Sequence, residues 1–350
     1  MSPTWNPPRS RHTFLSAASA LLLAASTSLP VHAGSSAAPM QANAQAATAQ
    51  HIVKRQNLQP VHYTADGSSQ TRVRVGIRQP DRVTQSHPGQ TSDLAPLTRQ
   101  AKLHAEVAFV QDLKSSDVLF NKNGDEIRPI ASISKLMTAL VVAEANLPMD
   151  DVLTIASEDV DRMRYSRSRL AVGTQLSRAD MLHLALMSSE NRAAHALARY
   201  YPGGMPAFVR AMNDKARALG MRNTRFVEPT GLSSENVSTS RDLVKLLKAA
   251  SEHKLIHRYT TDDKYEITVN RGRQLIYNNT NRLVGNSKWD IKISKTGFIN
   301  EAGECLVMLT RIDGRDVAIV LLNATNRSRI VDAVRLRTLL VENESKLAML

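Results

Sequence analysis

Hydrophobic residues recur at helical spacing in the segment that begins near residue 130. The apolar positions that follow Ser132 fit one face of a helix: Ile133, Leu136, Met137, Leu140 and Val141. Alanine and valine occupy the neighbouring faces as well, so we expect this helix to be buried on all sides. Asn146 and Pro148 mark its end.

Two shorter helices are predicted next, with a break between them. Ser177 and Asp180 have the capping-box spacing of a helix start, and the apolar stripe that follows ends near residues 188–191. A second helical run leaves from that break and covers residues 192–200. Residues 188–191 are therefore expected to form a short loop between two helices.

Other amphipathic stretches complete the predicted helices. They are residues 206–219 with Gly220 as the C-cap residue, a helix that starts at Thr239, and a closing helix over residues 331–340. The polar, arginine-rich residues 158–169 predict a helix followed by a surface loop.

The spacing changes to the alternation typical of strands on both sides of the helical region. The predicted strands are residues 107–110, 118–120, 265–269, 274–277, 289–294, 305–312 and 317–322. Arg271-Gly272 and Asp313-Gly314 are the turn signals of two hairpins among them. This order predicts an α+β fold, with an antiparallel sheet made from both chain ends and a helical cluster inserted between them.

The first hundred residues differ in composition from the rest. Residues 1–33 have the basic start, apolar middle and small-residue cleavage site, at Ala33, of a secretory signal peptide; an uncleaved N-terminal anchor is the alternative. The apolar part is shorter than the roughly 20 residues that span a bilayer, so no transmembrane anchor is expected. Residues 34–100 are rich in Ala, Gln, Ser and Pro, which predicts a low-complexity, disordered segment. Within it, residues 72–77 alternate and could add one strand.

Charge and cysteine content narrow the possible partners. The formal net charge is +13 and aromatic residues make up 4% of the chain. This charge favours anionic polymers or membrane surfaces as partners, with a general basic bias of the surface as the alternative. An exported chain without a recognition motif is not expected to bind nucleic acid. Cys305 is the one cysteine, so no internal disulfide can form, and its apolar neighbours predict a small buried side chain.

Ser132 and Lys135 place two reactive groups one turn apart at the start of the predicted buried helix. A lysine amine can take the proton of a serine hydroxyl, and a helix N-terminus favours the negative charge that develops. The same spacing occurs at Ser251 and Lys254. No long apolar helix is predicted after that copy, so we interpret it as a surface turn.

Three short motifs follow one another along the chain: Ser132-x-x-Lys135, Ser189-Glu190-Asn191 and Lys295-Thr296-Gly297. Together they resemble the active-site triplet of penicillin-binding proteins and serine β-lactamases. The second motif lies on the predicted loop between two helices and the third on a predicted strand, as that family requires. The resemblance implies a β-lactamase/DD-peptidase-like fold, with a penicillin-binding, transpeptidase-like catalytic domain over residues 101–350.

Longer stretches are similar to one branch of this family. Residues 184–191 and 228–232 look like the low-molecular-mass DD-peptidases, and residues 226–239 are similar to the D-alanyl-D-alanine endopeptidases of the penicillin-binding protein 7 subgroup. This implies a serine DD-endopeptidase of the periplasm that opens D-alanyl cross-links of peptidoglycan through an acyl-serine intermediate. It also implies stem peptides as substrates, β-lactams as acylating inhibitors, and no cofactor.

Amide hydrolysis assigns a task to four residues of the first two motifs. Ser132 is the expected nucleophile and Lys135 its base, provided that burial and the ammonium group of Lys295 keep part of its amine neutral. Ser189 can pass the proton on to the leaving nitrogen. Asn191 can hold both Lys135 and the substrate backbone through its amide group.

The third motif and the residue after it are expected to bind substrate: Lys295, Thr296, Gly297 and Phe298. They lie on an alternating strand that can pair with an extended peptide. Thr296 offers a hydroxyl to the carboxylate side of the substrate. The family resemblance implies that the backbone N–H groups of Ser132 and Phe298 form the oxyanion site.

Other functions are weighed against the endopeptidase: a D-alanyl-D-alanine carboxypeptidase, a serine β-lactamase and an inactive wall-binding scaffold protein. Glu228 has a spacing similar to the deacylating glutamate of class A β-lactamases, but their Glu-x-x-Leu-Asn pattern is broken here, so we expect a structural loop role. His183 and His195 lie near the site without metal-ligand spacing, so no metal is expected. The residues after Gly297 leave no room for the C-terminal β-domain and membrane anchor that related carboxypeptidases usually add.

Overall fold

The structure is a computed structural model that describes residues 102–347. The expected signal peptide, the low-complexity segment and the strand at residues 72–77 lie outside the described residues. Within the described part, no helix is both long enough and apolar enough to cross a membrane.

A five-stranded antiparallel sheet combines strands from both ends of the described chain, in the order β2-β1-β11-β10-β9. Its strands are β1 (Val107–Asp112), β2 (Val118–Lys122), β9 (Asp290–Ile299), β10 (Gly303–Ile312) and β11 (Arg315–Ala324). Val110 on β1 pairs with Ile319 on β11, and Cys305 on β10 pairs with Gly297 on β9. The α+β class and the sheet made from both chain ends are confirmed.

Both faces of the sheet are covered, because successive side chains of a strand point to opposite faces. Phe109 and Val320 belong to the larger hydrophobic core on the helical side. Val110 and Ile319, their neighbours along the strands, belong to a smaller core on the other face. This double burial explains why β10 and β11 are almost continuously apolar.

Seven helices lie within residues 102–347. They are α1 (Ser134–Glu144), α2 (Arg178–Met187), α3 (Asn191–Arg199), α4 (Gly204–Ala218), α5 (Ser240–Ser251), α6 (Lys254–Thr261) and α7 (Arg329–Leu347). The buried helix expected after Ser132 is α1, of which nine residues, Ser134 through Val142, are buried. The predicted capping box is present, since Ser177 Oγ accepts the backbone N–H of Asp180 at 3.0 Å.

Three pairs of shorter strands lie outside the main sheet. They are β3 (Arg128–Pro129) with β6 (Val237–Ser238), β4 (Val152–Thr154) with β5 (Gln175–Ser177), and β7 (Lys264–Val269) with β8 (Arg273–Asn278). The hairpin expected around Arg271-Gly272 is therefore correct, but it forms a separate two-stranded sheet instead of adding to the main one.

One local prediction was wrong. The helix expected within residues 158–169 is absent: Ser157–Asp159 forms a single 3-10 turn, and irregular backbone follows. The Asp161 carboxylate accepts the backbone N–H groups of Met163, Arg164 and Ser166, which competes with helical hydrogen bonding. The second Ser-x-x-Lys lies at a surface turn, as expected: it joins α5 to the eight-residue helix α6, and Glu252 and Lys254 are exposed.

Candidate active site

Ser132 lies in a 3-10 turn, Ala131–Ile133, that leads directly into α1. The sequence pattern placed it on the helix itself. Ala131 has a φ of 47°, in the left-handed region that non-glycine residues seldom adopt. Lys135 follows in the first turn of α1, and its Nζ donates to Ser132 Oγ at 2.9 Å.

The amine of Lys135 is completely buried and fully hydrogen-bonded. Besides Ser132, it donates to Asn191 Oδ1 at 2.7 Å and to the carbonyl oxygen of Thr230 at 2.6 Å. Burial lowers the pKa of Lys135 to about 7, although the carboxylates of Glu228 and Glu190 favour the charged form. Near neutral pH, the amine is thus divided between its charged and neutral forms.

Lys295 does not lower the pKa of Lys135 in the way the sequence suggested. The pKa of Lys295 is itself held well below its usual value, first by burial and then by the charges of Lys135 and Arg329. The charge interaction between the two amines lowers the pKa of Lys295, and it is not among the causes of the shift at Lys135. Burial is therefore the dominant cause of the lowered pKa of Lys135.

The second motif occupies the short connection between α2 and α3, as predicted. Ser189 has a φ of 64°, and its Oγ accepts a hydrogen bond from Lys295 Nζ at 3.0 Å. Asn191 is the first residue of α3. Its Nδ2 donates to Ser166 Oγ at 2.9 Å, which fixes the orientation of the amide toward Lys135.

The third motif lies on β9, which is the edge strand of the main sheet next to the helical side. Thr296 donates from Oγ1 to Thr280 Oγ1 at 2.7 Å. Phe298 is 59% exposed although it follows five buried residues. An edge strand with an exposed side chain beside the buried Lys295 can accept a further extended chain.

Two glycines allow the 3-10 turn of Ser132 to lie against its neighbours. A Cβ atom on Gly297 would come within 3.0 Å of Ala131 Cβ and 3.1 Å of the backbone nitrogen of Ser132. A Cβ atom on Gly231, whose φ is 82°, would lie 1.9 Å from the carbonyl oxygen of Ala131. Close backbone approach therefore brings β9 and the turn of Ser132 together.

Sequence reasoning missed several contributors to this site. Thr230 acts through its carbonyl oxygen, which no side-chain motif can reveal, although it lies in the stretch that carried the family resemblance. Ser166 and Thr280 accept hydrogen bonds from the motif residues Asn191 and Thr296, and both lie on loops without a recognisable sequence pattern. Arg329, at the start of α7, donates to the carbonyl oxygen of Gly297 at 2.9 Å.

Glu228 has the structural role that the broken motif suggested. Its carboxylate accepts the backbone N–H groups of Thr230 at 2.7 Å and Gly231 at 2.6 Å. It also accepts the side-chain amide of Asn236 at 3.1 Å. Because both oxygens are occupied within its own loop, Glu228 holds the segment that carries the Thr230 carbonyl.

The far end of β9 is bridged to the irregular loop that precedes α2. Arg164 donates from Nε to the carbonyl oxygen of Leu232 at 2.5 Å and pairs with Glu301 at 2.8 Å. Glu301 follows the last residue of β9 by two positions. These contacts join the loop that carries Arg164 to the end of β9.

The other reactive residue types are engaged elsewhere. His183 is buried against the rings of Tyr259 and Tyr265, and burial lowers its pKa to about 4. His195 Nδ1 lies 2.7 Å from Asp159 Oδ1. Burial raises the pKa of the Cys305 thiol to about 12. Among residues 102–347, no cluster of His, Cys, Asp and Glu could hold a metal ion.

Comparison with known proteins finds relatives that are named as D-alanyl-D-alanine peptidases. A sequence model of the family described as D-alanyl-D-alanine carboxypeptidase, peptidase S11, matches residues 95–326. The D-alanyl-D-alanine endopeptidase of Pseudomonas aeruginosa is 50% identical over 245 residues, which are 69% of this chain and 79% of the relative.

Solved structures show the same likeness. The Streptomyces K15 DD-transpeptidase superimposes with a TM-score of 0.63 and 28% identity, over 68% of this chain and 97% of that one. Penicillin-binding protein D2 of Listeria monocytogenes, solved in its ampicillin-bound form, gives a TM-score of 0.58 and 31% identity over 68% and 97% of the two chains.

Proposed function

The chain belongs to the D-alanyl-D-alanine carboxypeptidase family of serine peptidases, peptidase S11, and we propose that it acts as a DD-endopeptidase on the D-alanyl cross-links of peptidoglycan. The observation that carries the peptidase chemistry is the 2.9 Å contact between the buried Lys135 amine and Ser132 Oγ. The preference for cross-links is supported by the 50% identity to an endopeptidase.

Acylation begins with the fraction of Lys135 that is neutral. This amine takes the proton of Ser132 Oγ, and the oxygen attacks the carbonyl carbon of the D-alanyl bond. Asn191 and the carbonyl oxygen of Thr230 hold the ammonium that forms, at 2.7 Å and 2.6 Å from Nζ. Proton transfer to a positioned base of this kind is worth about 10² to 10⁴ in rate.

The negative charge on the tetrahedral carbonyl oxygen needs hydrogen-bond donors. We assign this task to the backbone N–H groups of Ser132 and Phe298. The close approach of Gly297 to the nitrogen of Ser132 supports the assignment, since it places β9 beside the turn. Fixed backbone donors of this type contribute the largest electrostatic term in many acyl-transfer enzymes.

The leaving amine must gain a proton as the carbon–nitrogen bond breaks. Ser189 Oγ lies 3.0 Å from Lys295 Nζ, so it can donate its own proton to the leaving nitrogen and recover one from the amine network of Lys295 and Lys135. Water then attacks the acyl carbonyl, Lys135 accepts its proton, and the carboxylic product leaves as the hydroxyl of Ser132 is restored.

Substrate binding uses the edge strand. The stem peptide adds to β9 as an extended chain, with Thr296 and Gly297 beside the scissile bond and Phe298 covering the bound backbone. β-Lactams would enter by the same acylation route, and ampicillin is bound in the Listeria monocytogenes relative. The basic net charge of +13 suits an anionic wall as the surroundings of this substrate.

One alternative function is favoured by a specific finding. The matching family is described as D-alanyl-D-alanine carboxypeptidase. A carboxypeptidase removes a terminal D-alanine by the same chemistry as the endopeptidase and differs from it only in the bond that is cleaved. A β-lactamase is disfavoured because the carboxylate of Glu228 is occupied within its own loop. An inactive scaffold is disfavoured by the hydrogen-bonded Ser132 and Lys135 pair.

The expected location follows from the N-terminal sequence. The basic and apolar start of the chain, with a small-residue site at Ala33, supports export by a signal peptide that is then removed. We propose the periplasm as the place of action, because it holds the cross-linked substrate.

Product analysis distinguishes the two peptidase functions. Purified cross-linked dimers and monomeric pentapeptides are incubated with the protein, and products are quantified by mass spectrometry. We expect conversion of dimers to monomers to be much faster than release of free D-alanine, and no conversion with Ser132→Ala. Faster release of D-alanine from pentapeptides would identify a carboxypeptidase.

A further inference from the structure

A cavity of about 450 Å³ adjoins the part of β9 that carries Thr296 and Gly297. Its lining includes Thr280, which accepts the Thr296 hydroxyl at 2.7 Å. It also includes Arg329, which donates to the carbonyl oxygen of Gly297 at 2.9 Å. Two residues of the cavity lining are therefore hydrogen-bonded to the third motif on β9.

The lining is strongly basic. Arg282, Arg327 and Arg329 face a single carboxylate, that of Glu304. Arg329 already holds β9, but Arg282 and Arg327 are exposed and form no hydrogen bond or ion pair with any of residues 102–347. Two guanidinium groups of the cavity lining thus lack a charged partner among the described residues.

The backbone around Arg327 and the start of α7 also favour an anion-binding role for the cavity. Asn326 and Arg327 have φ values of 55° and 57°, and such left-handed conformations of non-glycine residues are concentrated at functional sites. The first turn of α7 also lines the cavity, so the positive end of that helix reinforces the arginines. The hydroxyl of Ser328, just before α7, is buried without a hydrogen-bond partner among the described residues.

We propose that Arg282 and Arg327 bind a carboxylate of the leaving stem peptide, an inference that rests on the proposed endopeptidase function. A guanidinium group matches a carboxylate in geometry as well as charge. A leaving D-alanine carries its only carboxylate next to the scissile bond, beside Thr296. A leaving peptide carries a second carboxylate farther away, so the two arginines favour cross-linked over terminal substrates.

The test compares two double variants on two substrates. Arg282→Gln/Arg327→Gln removes the cavity charges, and Arg210→Gln/Arg222→Gln removes two exposed charges that do not line the cavity. The substrates are a cross-linked dimer with free carboxylates on the leaving stem and the same dimer amidated only at the leaving-stem carboxylates that do not adjoin the scissile bond.

On the free dimer, we expect KM of the cavity variant to rise roughly 10-fold or more with kcat little changed, because charge-assisted hydrogen bonds are lost. The control variant should behave like the wild type. Amidation should raise KM of the wild type by a similar factor and leave the cavity variant unaffected.

Acylation by penicillin at the wild-type rate verifies that the cavity variant is folded and that its chemistry is intact. Under that condition, an unchanged KM on the free dimer, or an equal loss on both dimers, would overturn the assignment of the arginines. If the wild type cleaves neither dimer while it releases D-alanine from pentapeptides, the proposed function itself is wrong, and the leaving-peptide assignment is wrong with it.

Discussion

Lys135 combines complete burial with three hydrogen-bond acceptors around its amine. Burial lowers its pKa to about 7, and the carboxylates of Glu228 and Glu190 limit the shift. A base whose pKa lies near the working pH is partly neutral and still strong enough to accept a proton. We therefore expect the position of this amine to activate Ser132.

Replacement of Lys135 tests this role. Lys135→Ala should lower the rate of acylation by penicillin at least ~10²-fold, the range for loss of a positioned base. The matched control is Lys254→Ala in the second Ser-x-x-Lys, where the lysine is exposed. Acylation rates measured with a fluorescent penicillin should be normal for the control. Equal losses in both variants would contradict the assignment.

The pH dependence of acylation follows from the lowered pKa of Lys135. The neutral amine predominates above about pH 7 and is lost as the pH falls through that value. The acylation rate should therefore be nearly constant above pH 8 and fall about tenfold per pH unit below pH 6. An unperturbed lysine would instead give a rate that rises up to pH 10, and that profile would contradict the buried-amine account.

At the scale of elements, long periodic segments were predictable and short or irregular ones were not. Helix α1 has 11 residues with apolar positions at helical spacing, and strand β9 has 10 residues that begin with strand-like alternation. The loop around Asp161 reads as helical, but side-chain hydrogen bonds to its backbone prevent a helix. The short helix α6 has too few residues for a periodic signal.

The site was predictable where side chains carry the chemistry. Ser132, Lys135 and Asn191 belong to motifs with fixed spacing, and the structure brings them together. The Thr230 carbonyl and the guanidinium of Arg329 were not predictable, because tertiary packing alone brings them to the site.

The packing of Gly231 against the 3-10 turn of Ser132 predicts that a larger residue at this position destabilises the fold. Gly231→Ala places a Cβ atom 1.9 Å from the Ala131 carbonyl oxygen, whereas the same change at Gly173, with a similar φ of 85°, meets nothing within 4 Å. Gly173→Ala should cost roughly 1 kcal/mol in the free energy of unfolding. Gly231→Ala should cost a further ~1–3 kcal/mol from overpacking.

Urea unfolding of both variants measures the difference, and penicillin acylation reports on the turn. Gly231→Ala should also slow acylation, since the Ser132 backbone must move, while Gly173→Ala should not. Equal stability and equal acylation in the two variants would show that the Gly231 contact does not position the nucleophile.

For the whole molecule, the sequence suggests an exported protein whose N-terminal residues are removed. N-terminal sequencing of the protein recovered from the periplasm should give a chain that begins at Gly34, after the site at Ala33. Material that starts at Met1 and sediments with membranes would favour an uncleaved anchor.

The most direct test of the central claim is to identify the atom that becomes acylated. Folded protein is incubated with penicillin, digested with a protease, and the peptide that carries the added mass is sequenced by tandem mass spectrometry. We predict a single labelled residue, Ser132, with labelling abolished in Ser132→Ala and retained in Ser251→Ala. A label on Ser251, or no label on folded protein, would contradict the account.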